Sequence, residues 1–195
     1  MSDTSPTQAK RRSRGAYFTP RRIARIAILV AISAVGAFIR LPSPTGTVAL
    51  DAAPGFVAAA AFGPGEGSIV GALGHLFSAL ITGFPLTLPV HLLIAAATMV
   101  WVGAFGLVAR KVNIWAAIPV GILINGVGGS ALMIPVLGVG AFAALVVPLT
   151  IGATINIVIA VAVVKVLDST GMSSRGKKSA AVDADTEPPA SSRHA

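Results

Sequence analysis

The sequence predicts an all-α integral membrane protein, a bundle of six transmembrane helices with short loops and both termini cytoplasmic. Three observations carry this reading. Of 195 residues, 54% are hydrophobic and only 11% are charged, and the mean hydropathy is +0.83; a soluble domain carries about a quarter of its residues charged. The apolar residues gather in six runs, and the two joined by Gly63–Gly67 are apolar nearly all round, without the polar face that a soluble helix turns to water. The basic residues cluster where one side of a membrane would collect them.

The runs follow in order. Residues 1–21 form a basic tail, expected to be disordered and cytoplasmic, whose cluster also suits anionic lipid heads. Ile23–Ile39 is the first run. It is long for the core of a signal peptide, and no small-x-small cleavage site separates it from the next run, so it reads as a helix. The second and third runs, Val48–Phe62 and Ser68–Ile81, are joined by Gly63–Gly67 (GPGEG). Both are shorter than the ~20 residues of a perpendicular span. They form either two short spans or a re-entrant pair, and both arrangements return the chain to the same side. Leu86–Ala109, Val112–Leu137 and Ala141–Leu167 are full-length spans. From Asp168 the composition turns to Ser, Gly, Pro and charge and predicts a disordered tail. The domain proper is thus residues 22–167, with tails at 1–21 and 168–195.

Charge sets the orientation. Seven of the fifteen basic residues lie in the first 25 positions, two form the Arg110–Lys111 loop, and five lie at or after Lys165. Arg40 alone falls in an outer loop, which puts both termini inside and predicts a multi-pass plasma-membrane protein. The net charge of +8 has no basic patch interleaved with aromatics, so nucleic acid is not the expected partner. Cysteine is absent, which excludes disulfides, thiolate catalysis and cysteine metal sites.

Several runs direct polar and small residues one way at helical spacing: Gly71, His75, Ser78 and Thr82; Thr87, His91, Thr98 and Trp101; Gly121, Asn125 and Gly128; Gly152, Asn156 and Ala160. Polar groups in hydrocarbon need partners, so their convergence predicts a polar pocket. Arg40, Asp51 and His91 belong toward the outer face, where Arg40 either neutralises Asp51 or frames a pocket mouth with it. The outer loops 41–47, 83–86 and 137–140 are uncharged and suit closure over a small molecule. The substrate-binding candidates are therefore Arg40, Thr45, Asp51, Phe84, His91, Asn125 and Asn156. Trp101 is expected toward the cytoplasmic end of its helix, which leaves Phe56 or Phe84 for a flat ring. Glu66 is expected to cap the third helix. On the first helix, Ala27 and Ala31, then Ser33 and Ala37, make small faces suited to another helix.

Catalytic patterns are poor. Gly128–Ala131 (GGSA) is similar to the serine turn of intramembrane serine proteases, but no histidine follows Ser130 before His194, and a nucleophilic serine needs a base in reach. No metal or cofactor motif is present. A small intramembrane enzyme using His75, His91 or Ser130, and a scaffold subunit without ligand, remain as the other readings.

Asp51–Phe56 (DAAPGF) followed by Gly63–Gly74 (GPGEGSIVGALG) resembles the substrate-binding, or S, components of energy-coupling factor (ECF) transporters. Asp51, Pro54, Gly63, Pro64, Gly67 and Gly71 carry the resemblance, and it covers about Arg22–Leu167. It implies a non-enzymatic subunit, without a cofactor of its own, that captures a vitamin or vitamin precursor. Its implied partners are a transmembrane coupling subunit and a pair of cytoplasmic ATPases. Ala27 and Ala31 match the Ala-x-x-x-Ala pattern through which such proteins dock on the coupling subunit. Ser43–Phe56, with the histidine-bearing fourth helix, is also similar to S components for cobalamin precursors such as α-ribazole, with thiamine precursors next.

Overall fold

The computed structural model describes residues 18–42 and 48–174. Thr45 lies outside these, as do residues 1–17 and 175–195 of the two tails. Among the described residues six helices follow one another: α1 Pro20–Gly36, α2 Ala53–Ala61, α3 Pro64–Ile81, α4 Leu88–Lys111, α5 Ile114–Leu137 and α6 Val139–Ser169. Among the described residues there is no strand, only an isolated bridge between Arg40 and Ala49. By length and composition, α4, α5 and α6 are long and apolar enough to cross a membrane.

The second apolar run is only partly helical. Residues 48–52 are non-helical and pair with the stretch that follows α1, Leu41 N–H donating to Val48 O at 2.8 Å and Leu50 N–H to Ile39 O at 3.1 Å. The helix begins at Ala53, with Pro54 in its first turn, where a missing N–H costs nothing. At about 1.5 Å per residue, the nine residues of α2 reach less than half of a hydrocarbon core. All nine are buried, because α1, α3, α4 and α6 surround them. The all-round apolar character of this run thus reflects burial in protein.

Close backbone approach makes this possible. A Cβ on Gly67 would stand 2.3 Å from the Ala59 Cβ, and one on Gly55 would stand 2.9 Å from the Gly71 Cα. So α2 and α3 meet backbone to backbone, the small-residue packing that membrane helices use. The turn between them needs Gly63, whose φ of +142° is closed to L side chains. Nothing lies within 4 Å of a Cβ built there, so the cost of Gly63→Ala is conformational. We expect it to lower stability by about 1–3 kcal/mol, read as a lower Tm in detergent.

One end of the bundle is basic. Glu66, 1% exposed, receives Arg25 through both Nε and Nη2, the latter at 2.7 Å, and pairs with Arg22 Nε at 3.1 Å. This corrects the expectation of a simple helix cap: the first turns of α1 and α3 pack side by side, so Glu66 anchors α1. The Arg25 guanidinium also lies 4.0 Å over the Phe62 ring. Arg110, at the end of α4, donates to the last carbonyls of α2, Ala60 O at 3.2 Å and Ala61 O at 3.4 Å. Lys165 of α6 stands 4.3 Å over the Trp115 ring. Residues 168–174, expected in the disordered tail, instead continue α6 and turn back: Ser174 Oγ donates to Ala61 O at 2.8 Å. Between these contacts and the centre lies an apolar core built on Phe56, Phe105, Ile157 and Val164. Phe56 and Phe105 meet edge to face at 4.9 Å.

The two small faces of α1 have different fates. Ser33 and Ala37 are buried, Ser33 against Gly74 of α3. Ala27 and Ala31 are exposed, among exposed Ile23, Ile28, Ile32 and Val35.

Candidate functional site

Above the apolar core, toward the end of the bundle remote from the basic end, is a cavity with about 860 Å³ of empty space, its open mouth included. One wall is the non-helical stretch Val48, Ala49, Asp51 and Ala52. Gly71 and His75 come from α3, Leu86 from the next turn, and Ile94, Thr98 and Trp101 from α4. Asn125, Gly129, Leu132 and Met133 of α5 face Leu145, Leu149, Gly152, Ala153 and Asn156 of α6. The surface is apolar with a few polar groups, the usual make-up of a small-molecule site.

Local structure explains how each polar group arrives. The expected single fifth helix is interrupted by a π-helical turn at Leu123–Val127. The extra residue in this turn re-aims the chain, as such bulges often do at functional sites, and Asn125 at its centre lines the cavity. Among the described residues the Asn125 side chain makes no hydrogen bond, so its amide is free for a guest. A Cβ on Gly129 would come within 3.6 Å of the Trp101 ring, so the bare backbone there leaves room for the indole. Phe105, one turn beyond Trp101, belongs to the sealed core; Trp101 therefore forms the floor.

Asn156 is 3% exposed and its amide is already committed. Its Oδ1 accepts from Ala53 N at 2.8 Å, and its Nδ2 donates to Ala49 O at 3.0 Å and to Gly152 O at 2.9 Å. It ties the 48–53 wall to α6. Asp51 is partly buried, and Ser78 turns its hydroxyl toward the carboxyl group.

The family model for the substrate-specific component of ECF transporters matches residues 21–167. The chain belongs to that family. No curated protein and no solved structure matches it. The chain is thus a membrane subunit that captures a substrate and works with the transmembrane and ATPase subunits of an ECF transporter.

In this S component, the cavity brings together three of the expected substrate residues, Asp51, Asn125 and Asn156. His91 stands behind His75, with 3.2 Å between His91 Nδ1 and His75 Nε2. Phe84 packs edge-on against His91 at 5.7 Å and does not line the cavity. Arg40 is exposed in the bridge with Ala49, and among the described residues no ion pair joins it to Asp51. Phe56, expected as a ring partner, is sealed in the core. His75, Thr98 and Trp101 line the cavity but were not among the substrate candidates. Their helical spacing with Gly71 and His91 was the available signal. Ser130 is fully buried and donates to Gly126 O at 2.8 Å within its own helix, an arrangement without the base a nucleophile needs. Among the described residues, no three His, Asp or Glu side chains converge as metal ligands.

Proposed function

We propose that this S component takes up a vitamin or vitamin precursor from outside the cell and holds it in the cavity above Trp101. The cavity carries the reading: it lies remote from the basic end, and basic residues stay on the cytoplasmic side. On this topology the protein crosses the plasma membrane six times, the α2 segment completing its crossing through residues 48–52, with both termini inside. The apolar wall of Leu132, Met133, Leu145 and Leu149 with the Trp101 floor suits a flat ring; Asp51, Asn125 and Thr98 suit hydroxyl and ring-edge groups. A cobalamin precursor such as α-ribazole fits this division between flat ring and sugar, and a thiamine precursor is the next candidate. The exposed Ala27 and Ala31 face of α1 docks on the transmembrane coupling subunit. Asn156 acts on the ligand through the wall it fixes.

Mass spectrometry of small molecules released from the purified protein tests the substrate class; a vitamin-sized heteroaromatic compound is the expected finding, and an empty protein that binds none of a broad vitamin panel would sink the reading. The chain has two tryptophans, Trp101 at the cavity floor and Trp115 at the basic end. Ligand-induced fluorescence change should therefore survive Trp115→Phe and vanish in Trp101→Phe. Trp101→Ala should weaken binding by about 0.5–1.5 kcal/mol, the scale of an aromatic stacking contact.

A further inference from the structure

One pair of side chains at the cavity has hydrogen-bond chemistry with a single solution. His91, 1% exposed, lies behind His75. On its far edge, His91 Nε2 accepts the backbone N–H of Leu86 at 3.4 Å. An amide nitrogen can only donate, so Nε2 of His91 is bare. A neutral imidazole carries one N–H, and His91 must hold it on Nδ1, which faces His75 Nε2 at 3.2 Å. His75 Nε2 is then the acceptor, and the proton of the His75 ring sits on Nδ1. The reverse direction would strip His91 of both protons. This assignment follows from the hydrogen-bond network. Among the described residues no group accepts from His75 Nδ1, and His75 lines the cavity.

The turn that supplies the first N–H is itself unusual. Gly83, Phe84 and Thr87 have φ of 77°, 51° and 73°. Positive φ is disfavoured for a β-branched residue such as Thr87, and strain of this kind gathers where a site needs a particular backbone direction. Here the turn aims the Leu86 N–H at His91 and sets the Phe84 ring against the outer edge of the pair.

We infer that His75 determines specificity by presenting a fixed N–H donor to the ligand, oriented through His91 by the Leu86 amide. The ligand offers a neutral acceptor there, a heteroaromatic ring nitrogen or a carbonyl oxygen, and compounds that present an N–H or a cation at that point are rejected. This rests on the capture reading above and deepens it.

Full-length protein labelled with ¹⁵N-histidine reads the tautomer directly. The expected signals of His75, assigned with His75→Phe, are those of a protonated Nδ1 and a bare Nε2. His91→Phe should release His75 to the Nε2–H form. A wild-type His75 protonated on Nε2 would overturn the inference. A second arm measures binding of α-ribazole and of hydroxymethylpyrimidine, both of which carry ring-nitrogen acceptors. His75→Phe should weaken whichever binds by about tenfold or more. His75→Asn, whose side-chain N–H stands near the Nδ1 position, should restore most of the affinity. Equal binding by wild type and His75→Phe also overturns the inference. If neither compound binds the wild type and the tautomer is as expected, the proposed ligand class falls and the fixed donor stands.

Discussion

Ala31→Leu is expected to abolish substrate uptake by cells carrying the complete transporter, while the purified S component binds substrate as tightly as the wild type. The reason lies in how α1 divides its small residues. Ser33 and Ala37 are buried inside the subunit, whereas Ala27 and Ala31 are exposed. A leucine at position 31 therefore disturbs no internal packing. At a helix interface in lipid, association depends on close approach, because there is little hydrophobic drive between apolar surfaces there. Overpacking a fitted contact costs about 1–3 kcal/mol, and each 1.4 kcal/mol is about tenfold in the docked population. Ala27→Leu should act in the same way, and the double substitution more strongly. Ile28→Leu, on the same exposed surface but without a change of volume, is the control and should leave uptake intact. Pull-down of the coupling subunit and uptake of labelled substrate are measured side by side with binding by calorimetry. Lost binding in Ala31→Leu would show that this face packs within the subunit after all; retained uptake would show that docking uses another helix.

The long helices were legible in the sequence because their ends carry signals. The expected Leu86–Ala109 run is α4 at Leu88–Lys111, ended by the charged pair Arg110 and Lys111. The second run was only half legible. Residues 48–52 and 53–61 are alike in apolar content, and a segment buried on all sides shows no periodicity to separate extended chain from helix. The π-turn at Leu123–Val127 leaves no compositional trace either, since its register depends on how closely Gly126 approaches Thr150 of α6.

The candidate site divides along the same physical line. Helical spacing is enough to place Asn125 and Asn156 on inward faces. Cavity depth is a different matter, because it depends on where the core closes. Trp101 lies about three to four turns into α4, in the half of that helix nearer its basic end. It nevertheless reaches the cavity, since the seal is made one turn further on by Phe105 against Phe56. Spacing also placed His75 and His91 on adjacent helices without showing which of them faces the guest. That order comes from the Leu86 turn, whose positive-φ backbone no side-chain pattern announces.

Two asparagines that look alike in the sequence should differ in what their loss does to stability. Asn156→Ala is expected to lower the stability of the ligand-free protein by about 2–4 kcal/mol, because it strands the buried Ala53 N–H and the Ala49 and Gly152 carbonyls, and each buried group left unpaired costs about 1–3 kcal/mol. The sum is reduced where the Gly152 carbonyl keeps its helical partner. Binding should fall as well, by about tenfold or more, since the Val48–Ala52 wall loses its tie to α6. Asn125→Ala strands nothing, as its amide makes no hydrogen bond among the described residues. Its Tm without ligand should stay close to that of the wild type, while affinity drops by about the worth of one hydrogen bond, roughly 1 kcal/mol. Thermal unfolding without ligand, set beside calorimetric affinity for the two variants, separates the roles. An Asn156→Ala protein with unchanged Tm and selectively weakened binding would make Asn156 a direct ligand contact. A destabilised Asn125→Ala would mean that the π-turn itself depends on that amide, and the free donor assigned to the cavity at this position would be lost.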